Sequence, residues 1–331
     1  MCVVHVWRRP VWHTRWLGIR VLPGIAFEKP ILVREDLCQT SSPALAAEHM
    51  SAFNDAEGKD AGTAASTDAS AADATFNMGP GTFVVPMRMH AESRARLVAS
   101  MREAGFVTGL VLLSGGEQQT QYDTDTDVVF RQESYFNWLF GVKEPGWHGT
   151  VDLASGRATL FMPLLPATWE VWCGAVLPAE HYRDLYDVDA VETTTREGEA
   201  EGGALEAHCR GGGSSGGDGQ QPLYLLRGLN TDSNKITVTV SNLAFPWLRQ
   251  EGESTASCEA RGGLANVDTV SLHPIAAECR VIKTPEELRL MRHVSAVTSM
   301  AHVDVMRAIK PGMLEYQLES LFQVRRREGR E

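Results

Sequence analysis

The sequence lacks several features that would point to particular classes of protein. It has no run of about 18 apolar residues, which excludes a membrane-spanning helix. It has no Cys-x-x-Cys pair, and its six scattered cysteines fit neither a zinc ribbon nor a disulfide scaffold. It also has no Asn-x-Ser/Thr glycosylation acceptor. These absences favour a reducing, cytoplasmic environment and no membrane partner.

Basic residues are comparatively few. The chain has 31 Lys and Arg against 42 Asp and Glu, and its formal net charge is −11. A polyanion needs clustered Lys and Arg, so we expect no nucleic-acid partner. The length of 331 residues and the hydrophobic fraction of 43% are sufficient for a sizeable core and favour about two domains.

Two stretches differ in composition from the rest. Residues 1–33 carry five basic groups and one acid, which resembles an organelle transit peptide but with little Ser and no clear amphipathic stripe. Residues 56–75 are almost entirely Ala, Ser, Thr, Asp and Gly, and so offer little to bury against the entropy cost of ordering. We expect residues 1–82 to be a disordered leader. The Gly- and Ser-rich residues 196–221 predict a flexible insertion.

Between these stretches, helical and strand patterns alternate. We predict a helix over 85–105, a buried strand at 110–113, and a hairpin over 149–162 that turns at Ser155-Gly156. A short helix is expected at 179–186. The alternation of helices and strands predicts an α/β or α+β domain.

The strongest local signal lies near the C-terminal end of the sequence. Thr284-Pro285-Glu286-Glu287 is a capping box, with Thr at the N-cap, Pro at the first helical position and Glu three residues after the Thr. The helix that it opens should run to about Ile309. A second amphipathic helix should begin at about Met313.

Candidate metal ligands are weak on spacing alone. Asp123, Asp125 and Asp127 resemble the start of a calcium loop, but the Gly and Glu that an EF-hand needs later in the loop are missing. We interpret them as turn-forming acids. His293 and His302 lie nine residues apart on one predicted helix, so they cannot bind the same metal ion.

Several separated motifs resemble the prolidase group, the Xaa-Pro dipeptidases of the aminopeptidase P and creatinase family. The resemblance covers about Phe83 to Phe322. In the first half the motifs are Tyr122-Asp-Thr-Asp-Thr126, Phe130-Arg-Gln-Glu-Ser134 and Trp138-Leu-Phe-Gly-Val142-x-Glu-Pro-Gly146. In the second half they are Leu226-Arg-Gly-Leu-Asn-Thr-Asp-Ser233, Leu272-His-Pro274 and Glu278-Cys-Arg-Val-Ile-Lys-Thr284.

The resemblance implies an α/β N-terminal domain with a ribonuclease-H-like mixed sheet over 83–281. The first helices of a truncated pita-bread metallopeptidase domain would follow over 282–331. It also implies a homodimeric enzyme in which two manganese ions activate a water that attacks the bond preceding proline in a dipeptide. The family's five metal ligands would all lie after Glu331. We therefore expect no catalytic residue, no metal ligand and no bound cofactor in this chain, and no activity of the chain alone.

One site residue can be carried over from the family. Leu165-Pro-Ala-Thr-Trp-Glu-Val-Trp-Cys-Gly174 is similar to a loop whose tryptophan, here Trp172, extends toward the partner subunit's active site. The alternative is a Trp172 packed within its own domain, and Trp169 is a second aromatic in the same loop. At the level of function, the alternatives are a non-catalytic dimerisation or protein-binding module of the same family and, third, a creatinase-like amidohydrolase.

Overall fold

The computed structural model describes residues 5–7, 16–20, 31–34, 74–79, 82–195, 203–211, 221–238, 245–250 and 252–328. The chain divides into two compact units. One unit is Asp73–Leu290, and the other consists of the described parts of Met1–Ala72 and Met291–Glu331.

The elements are numbered along the chain. The strands are β1 (His5–Trp7), β2 (Trp16–Arg20), β3 (Ile31–Arg34), β4 (Thr75–Phe76), β5 (Val85–Pro86), β6 (Leu110–Ser114), β7 (His148–Asp152), β8 (Ala158–Met162), β9 (Ala190–Thr193), β10 (Leu223–Leu225), β11 (Arg227–Asn230), β12 (Lys235–Val238) and β13 (Val267–Asp268). The α-helices are α1 (Arg88–Glu103), α2 (Ser134–Phe140), α3 (Glu170–Cys173), α4 (Ala179–Tyr186), α5 (Gly203–Arg210), α6 (Thr255–Ala260), α7 (Leu272–Val281), α8 (Pro285–Ala308) and α9 (Glu315–Glu328). A 3-10 turn occupies Ala167–Trp169.

A six-stranded mixed sheet organises the unit Asp73–Leu290. Its strand order is β13-β10-β6-β7-β8-β9. The three strands β13, β10 and β6 are parallel, and β9 is parallel to β8. The pairs β6–β7 and β7–β8 are antiparallel. The predicted hairpin is confirmed as β7 and β8, with Gly156 at a φ of +80° in its turn.

The two faces of the sheet carry different layers, because successive side chains along a strand point to opposite faces. On the first face, α1, α2, α4 and α7 pack over the aliphatic side chains of β6, β7 and β8. On the second face, α5 and the segment containing Phe245, Trp247 and Leu248 cover Leu110, Leu112 and other residues of β6, β8 and β10. The sheet is therefore buried on both faces, which is typical of α/β domains.

Helix α5 corrects the prediction of a flexible insertion over 196–221. Ala204, Leu205 and Cys209 of this helix are buried on the second face of the sheet. The Gly- and Ser-rich composition of the stretch concealed the short apolar stripe that these residues form. The remainder of the predicted insertion, apart from Gly211 and Gln221, lies outside the described residues.

Strands also occur within the predicted disordered leader of residues 1–82. Strand β4 pairs with β5, and Met87 N–H donates to Ala74 O at 2.8 Å, so the prediction does not hold for residues 74–79. Ala74 and Phe76 pack against the core of the first face, which stabilises this pairing. Strands β1, β2 and β3 form an antiparallel sheet in the other unit. The other predicted leader residues before 74 lie outside the described part of the chain.

The start of α8 forms as the capping box predicts. Thr284 N–H donates to Glu287 Oε2 at 2.7 Å, and Glu287 N–H donates to Thr284 Oγ1 at 3.1 Å. The helix runs over 24 residues, and the division between the two compact units falls inside it, after Leu290. The predicted domain boundary after residue 281 stays a prediction. The first turn of α8 belongs to the unit Asp73–Leu290 and makes its side-chain contacts within that unit.

Candidate functional site

The Phe130–Ser134 motif connects two loops and a helix. Gln132 Oε1 accepts hydrogen bonds from Gly116 N–H at 2.6 Å and from Glu133 N–H at 2.9 Å. Its Nε2 donates to the carbonyls of Val142 and Glu144 at 3.2 and 3.0 Å. One side-chain amide thus joins the loop after β6 to the loop after α2, which gives this part of the motif a clear structural role.

Glu133 of the same motif caps α2. Its Oε2 accepts from Phe136 N–H at 2.8 Å, which satisfies an otherwise free donor of the first turn. The helix ends at Gly141, whose φ of +70° is left-handed. A Cβ at Gly141 would lie 2.5 Å from His90 Nε2, so only glycine fits between the helix end and α1.

A half-buried cluster brings together motifs that are distant in sequence. Tyr135 Oη lies 3.4 Å from His273 Nε2, and the guanidinium of Arg280 lies over the Tyr135 ring at 4.3 Å. Arg280 Nη1 also donates to Ser134 Oγ at 3.4 Å. The cluster thus joins α2 to α7 through one cation–π contact and two long hydrogen bonds.

Gly228 of β11 completes this cluster. A Cβ at Gly228 would lie 2.1 Å from the His273 ring, so the imidazole occupies the space that any side chain would need. We define the candidate site as Ser134, Tyr135, Gly228, His273 and Arg280. It offers a positive charge, a phenol and an imidazole for recognition.

A second polar group lies on the other face of the sheet. His148 Nδ1 lies 2.8 Å from Ser114 Oγ, and His208 Nε2 lies 3.1 Å from Thr150 Oγ1. Burial lowers the pKa of His148 to about 4, and burial also lowers the pKa of His208. The Ser114–His148 pair is held in the core by Phe245, whose ring centroid lies 5.1 Å from that of His148. We therefore interpret it as a packed core pair.

The structure places the substrate-loop candidate Trp172 on α3, in the short helix that follows the 3-10 turn. Its side chain lies outside what the structure describes. The neighbouring Trp169 is 43% exposed and Val171 is 79% exposed. The backbone around Trp172 is thus part of an exposed loop, and the choice between its two predicted roles stays open.

The three aspartates occupy an exposed hairpin-like loop. Thr120 and Asp127 form an isolated antiparallel bridge, and Gln121 N–H donates to Thr126 O at 2.7 Å. Asp123 and Asp125 lie at the tip, beside Tyr122 with its φ of +55°. Across the described part of the chain, no group of three or more His, Cys, Asp or Glu is arranged to hold a metal ion.

His293 and His302 both lie on α8, as predicted. The ring of His302 packs against Phe322 of α9 at 5.0 Å between centroids, within the unit that contains Met291–Glu331. None of the described helices is both long and apolar enough to cross a bilayer.

Sequence reasoning did not identify the candidate site as a site. His273 and Arg280 lie in motifs that we recognised, but Tyr135 is 138 residues from His273 in sequence. The only available signal was that the same motifs carried the family resemblance. Spacing alone could not bring them together, because the contact depends on how α2 and α7 pack on the sheet.

The sequence and the fold both match those of known proteins. Residues 90–202 match the family model of the aminopeptidase P N-terminal domain. Two solved structures have a TM-score of 0.54, aminopeptidase PepP of Pseudomonas aeruginosa at 21% identity and a low-pH form of Escherichia coli aminopeptidase P at 20%. In each comparison the match covers 74% of this chain and 50% of the other. The mixed sheet is therefore that of an aminopeptidase P N-terminal domain, and the predicted fold class is confirmed.

Curated relatives at higher sequence identity indicate the family of the chain. The Xaa-Pro dipeptidase of Rattus norvegicus is 38% identical over 251 residues, which cover 75% of this chain and 45% of the relative. The Xaa-Pro dipeptidase of Homo sapiens is 38% identical over 259 residues, covering 77% and 46%. The chain belongs to the prolidase and aminopeptidase P family, as its motifs predicted. It spans about half the length of these relatives.

Proposed function

We propose that this chain supplies the N-terminal part of an Xaa-Pro dipeptidase, a cytoplasmic hydrolase of dipeptides with C-terminal proline. The observation that carries the proposal is the 38% identity to the rat and human Xaa-Pro dipeptidases over three quarters of the chain. The convergence of the family motifs on one cluster, around Tyr135 and His273, supports it. In this proposal, the N-terminal domain shapes the substrate site of the enzyme and contributes to its homodimer interface.

The proposed full-length enzyme uses two manganese ions, which supply an activated water for peptide hydrolysis. The described residues do not fit such a centre, because a dinuclear site needs several carboxylates and imidazoles converging on one point. We therefore assign none of them to metal binding. The chain alone is proposed to be inactive.

The first experiment measures the activity of the chain alone and of a chimera with the C-terminal part of a relative. The purified chain is given manganese and Gly-Pro, and proline release is followed. We expect no turnover above a metal-only blank. A chimera joins residues 83–331 to the portion of the rat Xaa-Pro dipeptidase that follows the matched region, and we expect it to release proline. The rat portion alone is the control.

The same chimera tests Trp172. In the proposed role, Trp172 of one subunit contributes to the substrate site of the other, so Trp172→Ala should raise the KM for Gly-Pro about tenfold or more. Trp169→Ala is the matched control, since it removes an indole from the same loop. Equal effects of the two substitutions, or none from Trp172→Ala, would contradict the assignment.

The second candidate function is a non-catalytic dimerisation or protein-binding module of the same family. The exposed apolar side chains of the loop around α3, among them Leu164 at 55% and Val171 at 79%, favour this alternative. It predicts that a folded, dimeric chimera releases no proline. Thermal unfolding and sedimentation of the chimera therefore accompany the assay, so that an inactive folded protein is separated from an unfolded one.

A further inference from the structure

The first turn of α8 makes an unusual use of its capping carboxylate. In the capping box, Glu287 uses Oε2 to accept Thr284 N–H at 2.7 Å. Its second oxygen, Oε1, accepts the indole Nε1–H of Trp138 at 3.2 Å. Trp138 lies on α2, 149 residues earlier in the chain, and its side chain is buried. One carboxylate therefore defines the helix start and also joins that start to α2.

The residues around this carboxylate hold both partners in place. His90 Nδ1 lies 3.0 Å from the carbonyl of Trp138, so the backbone at Trp138 is fixed from α1. Thr284 is 4% exposed, which leaves the box little room to rearrange. Hydrogen bonds to a carboxylate are among the stronger ones in proteins, and those of Glu287 are partly buried, which reduces the competition from water.

Ion pairs and stacking add further contacts on the same turn. Arg88 Nη2 of α1 lies 2.7 Å from Glu286 Oε1. Arg289 Nη2 donates to Val84 O at 3.2 Å, and its guanidinium lies 5.2 Å from the centroid of the Phe83 ring.

The end of the preceding helix, α7, is also held by α1. Arg96 Nη1 donates to the carbonyls of Cys279 and Ile282. Both sides of the α7–α8 junction are thus held by α1 and the segment before it.

We propose that Trp138 is a positioning residue, which acts through Glu287 to fix the start and the rotation of α8. Each turn of an α-helix is hydrogen-bonded to the next, so a fixed first turn supports the turn that follows it. In the proposed dipeptidase, this contact would set where α8 begins. That consequence rests on the proposed function, whereas the contact and its test do not.

The test is hydrogen exchange on the full chain, which needs no enzymatic activity. Trp138→Phe keeps a buried ring but removes the donor. We expect amide protection in residues 285–300 to fall about tenfold or more, since a charge-assisted hydrogen bond is lost. Amides of β6, β7 and β8 should keep their protection. Unchanged amide protection in residues 285–300 would overturn the proposal.

Two further variants separate positioning from general stability. Trp147→Phe alters another buried indole of the same unit, which makes edge-to-face contacts with Tyr182 and Tyr186, so it should lower protection broadly, without selectivity for α8. Glu287→Gln leaves a single acceptor oxygen for two donors, and it should give the same selective loss. In the double variant with Trp138→Phe, we expect no further loss, because the shared contact is already absent. A uniform loss in Trp138→Phe, like that in Trp147→Phe, or additive effects in the double variant would contradict a positioning role.

Discussion

We expect two histidines, the buried His90 and the half-buried His148, to make the stability of the protein depend on pH. Burial lowers the pKa of His90 and of His148 to about 4. The unfolded chain takes up these protons near pH 6.5, whereas the folded chain resists them until about pH 4. We therefore expect the free energy of unfolding to decrease as the pH falls from about 6.5 to about 4, by at most about 3 kcal/mol per histidine.

Chemical denaturation between pH 4 and 8 measures this dependence, with His90→Gln and His148→Gln as the variants. Glutamine keeps a polar group but does not titrate, so each variant should flatten part of the curve between pH 6.5 and 4. Curves for both variants that run parallel to the wild-type curve would show that these histidines do not carry the effect.

Gly228 provides a second prediction at the scale of one residue. Gly228→Ala places a Cβ 2.1 Å from the His273 ring, so the imidazole or the β11 backbone has to move. We expect a loss of about 1–3 kcal/mol in the free energy of unfolding, as for other overpacked sites. In a double-mutant cycle with His273→Ala, the loss should be largely relieved, since the space is then free. Additive effects of the two substitutions would contradict this account.

Some of these residue roles were predictable and others were not. The capping box at Thr284 and Glu287 is local, so four consecutive residues contain all of its information. The bond from Trp138 to Glu287 and the contact of Tyr135 with His273 depend on tertiary packing, and no spacing in the sequence encodes them. The family resemblance identified their motifs, and the structure explains why those residue types are present.

At the scale of elements, α5 is the clearest departure from the sequence-based expectation. A flexible insertion would tolerate substitution, whereas Leu205 is fully buried among residues of the second sheet face. We expect Leu205→Ala to lower the free energy of unfolding by about 2–5 kcal/mol. Equilibrium denaturation in urea measures the loss.

Glu206→Ala is the matched control on the same helix. It removes a partly exposed i,i+4 ion pair with Arg210, whose atoms are 2.5 Å apart, and such pairs contribute less than about 1 kcal/mol. If Leu205→Ala and Glu206→Ala had equally small effects, α5 would not be part of the core. The β7–β8 hairpin illustrates the opposite case, because alternating apolar residues and a Ser-Gly turn specify it locally.

At the scale of the whole molecule, the two compact units and the predicted domains are separate descriptions of the chain. Composition and motifs indicated two helices after Thr284, and α8 and α9 are present. The boundary between compact units lies after Leu290 because the first turn of α8 is held by Arg88, Trp138 and Val84. Helical periodicity predicts where a helix begins and which face is apolar, but it does not say which neighbour each turn contacts.

The unit that contains Met291–Glu331 carries apolar side chains that remain exposed. Met291, Val294, Leu314 and Leu321 are 49%, 53%, 56% and 39% exposed. Exposed apolar side chains favour association, because their burial removes hydrocarbon from water. We therefore expect the purified chain to bind a hydrophobic dye and to self-associate as its concentration rises. Sedimentation velocity at several concentrations measures the association.

Replacing these four residues by glutamine should reduce both dye binding and self-association. The matched control replaces four exposed apolar residues of the other unit, away from the loop around α3, by glutamine, at positions Val107, Val129, Ile236 and Val270. If α8 and α9 carry the effect, the control retains most of the association. A wild-type chain that stays monomeric at high concentration without binding dye would contradict the prediction. Equal effects of the two sets of substitutions would show that α8 and α9 do not carry the self-association surface.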